Sequence, residues 1–93
     1  MNIDTMNRAQ RIQALVECLV CPDTQDRDLF AYLIKESQAL FVPLDDHALA
    51  RKFGVTRSTV TLWRDGAVAP HPAMRRPIYV ELYNMILAYQ LVE

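Results

Sequence analysis

The chain is poor in the residues that build cross-linked, glycine-looped or membrane-spanning proteins. It holds two glycines and two cysteines in 93 residues. Two glycines do not make a phosphate-cradling loop, and no nucleophile, base and orienter stand together, so enzymatic function is not expected. Cys18 and Cys21 form a C-x-x-C, but a zinc site needs two more ligands at suitable spacing. The only histidines, His47 and His71, are distant in sequence and unpaired. A thioredoxin-like pair starts a helix, whereas this pair ends one. Both cysteines are therefore expected to act as small buried apolar groups, and no metal or cofactor is implied.

No apolar run approaches the roughly 18 residues that a membrane helix requires, so no membrane partner is expected. Asp4 and Glu17 interrupt what a secretory signal would need as a basic start and an unbroken apolar stretch. These features predict a cytoplasmic protein with free thiols. Internal repeats, low-complexity segments and linkers are also missing, which predicts one domain over residues 1–93. Hydrophobic residues make up 52% and charged residues 23%, the balance of a folded globule with a small core.

A net charge of −1 at first argues against a nucleic-acid partner, but the distribution reverses that. From Arg51 to Arg76 six basic residues (Arg51, Lys52, Arg57, Arg64, Arg75, Arg76) face one acid, Asp65, a local net of +5 that leaves −6 for the other 67 residues. Positive charge is gathered in one segment.

Apolar spacing and capping residues predict five helices and no strand, an all-α compact five-helix bundle. The first runs from Thr5 to Leu19, with Ile12, Leu15, Val16 and Leu19 on one side, and Pro22 and Asp23 stop it. The second runs from Asp26 to Phe41, capped by Asp23 or Thr24, with an apolar stripe of Leu29, Phe30, Leu33, Leu40 and Phe41, and Pro43 closes it. The third and fourth are short and meet at Gly54. Asp45 caps the third, with Leu44 and Leu49 as a hydrophobic staple; Thr56 caps the fourth, with Val55 and Val60 as the next staple pair. Gly66 ends the fourth in the left-handed conformation. Pro77 suits the first turn of a fifth helix that reaches nearly to Glu93.

The stretch ALARKFGVTRSTVTLW, Ala48 to Trp63, carries the functional reading. A residue without a β-carbon at position 54 can take the positive φ that turns the chain sharply. Two short helices joined around such a glycine make a helix-turn-helix, whose second helix can lie in a DNA major groove. Leu49, Ala50, Phe53, Val55, Val60 and Trp63 stand at spacings that let both helices share one core.

The run LARKFGVTRSTVTLWRDGAVAP resembles the Cro and lambda-repressor type of helix-turn-helix: Leu-Ala, then Phe-Gly-Val, Val, Trp, Gly66 and Pro70. The resemblance covers Asp45 to Pro70 closely and the flanking helices loosely, and it departs at the N-terminus, where the helix before Cys21 is additional. It implies a DNA-binding regulator.

With Val60 and Trp63 facing the core, a 3.6-residue period puts Ser58, Thr61, Leu62 and Asp65 on the opposite face, with Arg57 at its leading edge and Thr56 just before it. Arg57 can pair with guanine, Thr56, Ser58 and Thr61 can bond base edges or phosphate, Leu62 can touch a thymine methyl, and Asp65 either accepts from cytosine or keeps its end of the helix away from phosphate. Phosphate contacts are expected from Arg51, Lys52, Arg64, Arg75, Arg76 and the amide ends of the third and fourth helices.

From Pro77 to Glu93, 12 of 17 residues are apolar, more than one packing face needs. One face can cover the core while Val80, Tyr83, Leu87 and Leu91 meet a second copy, which predicts a homodimer on a pseudo-palindromic site. Alternatively the first helix covers that face within one chain. The expected function is a repressor on double-stranded DNA. The other readings are a DNA-targeting accessory subunit (antitoxin or recombination factor) and a protein-interaction module that uses the hairpin as scaffold.

Overall fold

The structure, a computed structural model, describes residues 6–92, with side chains as far as Gln90. The described residues form five α-helices and no strand: α1 (Arg8–Val20), α2 (Arg27–Leu40), α3 (Asp46–Phe53), α4 (Arg57–Asp65) and α5 (Pro72–Val92). None of them is long and apolar enough to cross a membrane. The expected all-α five-helix bundle is the architecture found.

Helix starts follow side-chain caps, and three of them differ from the sequence expectation. Thr5 lies outside the described residues, and α1 begins at Arg8 behind Asn7. The Oδ1 atom of Asn7 accepts the Gln10 amide at 2.8 Å while Gln10 Oε1 accepts the Asn7 amide at 3.0 Å, a reciprocal capping box. At α2 the cap is Asp26, which accepts the Leu29 amide at 3.0 Å, and not Asp23 or Thr24. Asp23 instead closes the preceding turn by accepting the Gln25 amide at 3.0 Å. The last helix starts at Pro72 and not at Pro77. His71 prepares that start: its Nδ1 accepts the Ala73 amide at 3.1 Å and its carbonyl accepts the Met74 amide at 2.8 Å. Pro72 sits where a missing amide costs nothing, whereas Pro77 lies inside the helix and leaves the Ala73 carbonyl without its usual donor.

α2 is the central element. It packs against α1, α4 and α5, while α3 packs on α4 and α1 packs on α5. Phe30, Leu33 and Ile34 of α2 are fully buried, together with Leu44, Leu49, Val60, Leu82 and Ile86 from the surrounding elements. An aromatic junction ties three helices together: Phe30 meets Trp63 at 5.5 Å between ring centroids and Tyr79 at 5.8 Å. Apart from the Tyr79 hydroxyl, the buried polar side chains among the described residues are partnered. Arg11 grips the buried Glu36 through one guanidinium edge, Nε and Nη2 donating to the two carboxylate oxygens at 3.1 and 2.6 Å, joining α1 to α2, and the Ser37 hydroxyl donates to the Leu33 carbonyl at 2.7 Å. The Arg8 guanidinium donates to the Leu40 carbonyl at 2.8 Å and lies 5.5 Å from the Phe41 ring, so the additional N-terminal helix closes the C-terminal end of α2.

That additional helix also alters the expectation for α5. Both α1 and α2 lie against it within the same chain, so α5 meets two helices without a second copy. The paired cysteines differ too. Cys18 is half-buried against the core, but Cys21 is exposed, because α1 ends at Val20 and Cys21 leads into the turn.

Candidate nucleic-acid interface

The α3–α4 pair is shaped by its two glycines, the only residues with positive φ among those described. At Gly54 φ is +68° and ψ is 34°, and the Gly54 amide closes on the Ala50 carbonyl. Val55 donates to the same carbonyl at 3.0 Å, so the chain leaves α3 in a tight left-handed turn. The Thr56 hydroxyl then accepts the Thr59 amide at 3.1 Å and starts α4. At the far end Gly66, with φ +78°, donates to the Leu62 and Trp63 carbonyls. Inside the pair, Leu49, Ala50, Val60 and Trp63 are buried, and Phe53 and Val55 pack half-buried against them.

Burial of Val60 and Trp63 orients the rest of α4. Arg57, Ser58, Leu62 and Asp65 are exposed along its outer row, and Thr61 is half-buried within it. Arg57 and Ser58 make no side-chain hydrogen bond or ion pair among the described residues. Leu62 is 42% exposed, large for an apolar side chain. Thr56 is exposed, and its hydroxyl is engaged in capping, 3.0 Å from the Thr59 hydroxyl.

The basic residues divide. Arg51, Lys52 and Arg76 are exposed, with Lys52 paired to Glu81 at 3.2 Å. Arg75 is not at the surface: it is 7% exposed and donates to the Pro70 carbonyl at 2.8 Å and the Thr24 carbonyl at 2.9 Å. It ties the start of α5 to the α1–α2 turn and leaves the set expected to meet phosphate. Arg64 is half-buried and already engaged. Its guanidinium pairs with Asp46 and donates to Gln38 Oε1 at 3.0 Å.

Asp46 and Gln38 are the residues that sequence reasoning missed. One Asp46 carboxylate receives Gln38 from α2 at 2.7 Å, Thr61 from α4 at 3.0 Å, and Arg64 from α4, pinning three helices around one side chain. Burial pushes this carboxyl up, but the hydrogen bonds from Gln38, Arg64 and Thr61 and the Arg64 charge outweigh it and hold it below the usual aspartate value. An open cleft of about 570 Å³ adjoins the junction, lined by Gln38, Val42, Asp45, Asp46, His47, Arg57 and Arg64. Asp45 already occupies the amide end of α3, accepting the Ala48 amide at 2.8 Å. A phosphate there would meet like charge; the α4 start, capped by a neutral threonine, has no such barrier.

On the last helix Val80 is 51% exposed, Tyr83 and Leu87 are half-buried, and the Leu91 side chain lies outside those described. A second apolar feature separates the α3–α4 pair from α5: a groove of about 420 Å³ walled by Phe53, Val55, Trp63, Met74 and Ile78. Comparison with protein-family models, curated proteins and solved structures finds no match for this chain.

Proposed function

We propose that the protein is a sequence-specific DNA-binding transcriptional regulator, most simply a cytoplasmic repressor that occupies its operator as a homodimer. The observation that carries the reading is the outer row of α4. Arg57, Ser58, Leu62 and Asp65 stand exposed together on a short helix whose other side is locked into the core. Their chemistry suits base edges in a major groove, and Arg51, Lys52 and Arg76 supply exposed charge for the backbone. The resemblance of the Asp45–Pro70 run to Cro-type helix-turn-helix sequences supports the same reading. No catalytic step or cofactor is part of it.

Selection of bound sequences from random duplex DNA tests it. Enrichment of a half-site establishes recognition, and two half-sites about one helical turn apart establish the dimer. Failure to enrich any sequence at low salt removes the reading. For the dimer, Val80, Tyr83 and Leu87 form the candidate contact; a monomer by light scattering at micromolar concentration removes it.

The apolar groove between the α3–α4 pair and α5 favours a second reading, a protein-interaction module in which the helical pair is scaffold. Arg57→Ala separates the two, since it relaxes base preference in the first and leaves partner binding intact in the second.

A further inference from the structure

Thr61 sits within the outer row of α4, with its hydroxyl oxygen 3.0 Å from Asp46 Oδ2 and 3.1 Å from the Arg57 carbonyl. Neither neighbour can donate: a backbone carbonyl carries no proton, and an ionised carboxylate offers only lone pairs. The ionised form is secured by Gln38 and by the Arg64 guanidinium on the same carboxylate. A threonine hydroxyl has one proton, and here it must point at one of these two acceptors. What the hydroxyl can still present outward is lone pairs. Ser58, whose hydroxyl makes no hydrogen bond among the described residues, keeps both capacities.

We propose that Asp46 makes Thr61 an acceptor-only reader, which selects a base carrying an exocyclic amine: adenine through N6 or cytosine through N4. This inference rests on the DNA-binding reading and names the base class that reading leaves open. Unconstrained hydroxyls bond to either kind of edge, which is why serine and threonine are weak discriminators. With its proton held, Thr61 sets lone pair against lone pair when it meets guanine O6 or thymine O4. The same contact separates A·T from T·A and C·G from G·C, because only one strand of each pair offers the amine in that direction. Asp46 never needs to touch DNA. It is a positioning residue, and it is itself held by Gln38 on the central helix, so the hydroxyl orientation is tied to the frame of the bundle.

The test compares sequences selected by the wild-type protein, Thr61→Val, Asp46→Ala and Ser58→Ala. Thr61→Val, similar in shape but without the hydroxyl, marks the contacted position as the one whose preference disappears. At that position the wild type is expected to favour adenine or cytosine over the keto bases by about tenfold, the scale of one well-made hydrogen bond. Asp46→Ala is expected to bind the same overall site with that ratio reduced, because only the uncharged Arg57 carbonyl then holds the Thr61 proton, while Ser58→Ala alters a different position. A thermal melt shows whether Asp46→Ala is folded. If it is not, the decisive measurement is on the wild type, with a duplex in which the selected adenine is replaced by purine or the selected cytosine by 2-pyrimidinone, each lacking the amine; a loss of about tenfold is expected. Guanine or thymine at the Thr61 position, an unchanged ratio in folded Asp46→Ala, or undiminished binding to the amine-free duplex overturns the inference while leaving DNA recognition standing. A wild-type protein that enriches no sequence overturns both.

Discussion

Phe30 and Trp63 meet edge to face, their ring centroids 5.5 Å apart and their planes at 81°. The edge of one ring, with its partial positive charge, is directed toward the electron-rich face of the other. This contact fixes α4 to the central helix, and everything the outer row of α4 does depends on that attachment.

Removing one ring of the pair should therefore be costly. Phe30→Ala is expected to lose about 3–5 kcal/mol, a large share of the stability of a small domain. Chemical denaturation checks the magnitude, and emission from Trp63, the single tryptophan, should move to longer wavelength as its 5% exposure rises.

The left-handed turn at Gly54 is a conformational requirement and not a spatial one, because an added β-carbon would meet nothing within 4 Å. Gly54→Ala is expected to cost about 1 kcal/mol, the strain of a left-handed residue bearing a β-carbon. Its melting temperature should fall by about 4–8 °C. A variant that melts with the wild type would show that the turn relaxes freely.

Tyr79 is 1% exposed and its hydroxyl finds no partner among the described residues. Burial pushes its pKa up to about 12. A folded value above the unfolded one, near 10, means a contribution fully present below about pH 10 and lost as pH rises through about 12. Tyr79→Phe removes both the unsatisfied hydroxyl and this titration. It should be about 1 kcal/mol more stable at neutral pH and should resist alkaline unfolding better than the wild type, as denaturation at pH 7 and above pH 10 can compare.

Asp46 titrates with the opposite sign. Its folded pKa is lowered, so its stabilisation is present above the ordinary aspartate value of about 4 and lost as pH falls through the folded value. The melting-temperature advantage of the wild type over Asp46→Asn should be constant near neutrality and should shrink below about pH 4. An advantage unchanged down to the lowest pH tolerated by the fold would contradict the charged junction.

Salt dependence separates the arginines. If the DNA reading holds, Arg51→Ala and Arg76→Ala should each lower the log–log slope of affinity against salt by about 0.9. Arg75→Ala should act through stability, since that side chain holds Thr24 and Pro70. A slope that falls with Arg75→Ala at unchanged melting temperature would return that residue to the phosphate set.

The residues themselves determined the number of helices, the caps at Asp45 and Thr56, the turns at Gly54 and Gly66 and the outer row of α4. All are local: a cap reaches an amide three residues on, a left-handed turn needs one glycine, and a helix face repeats every 3.6 residues. Only the tertiary structure decided which charges stay free. Arg64 is engaged by Gln38, 26 positions away, and Arg75 by Thr24, 51 positions away. Likewise α1 covers α5 from the opposite end of the chain. No spacing rule reaches across such separations, because these partners become neighbours only when burial of the apolar stripes packs α1, α4 and α5 around α2.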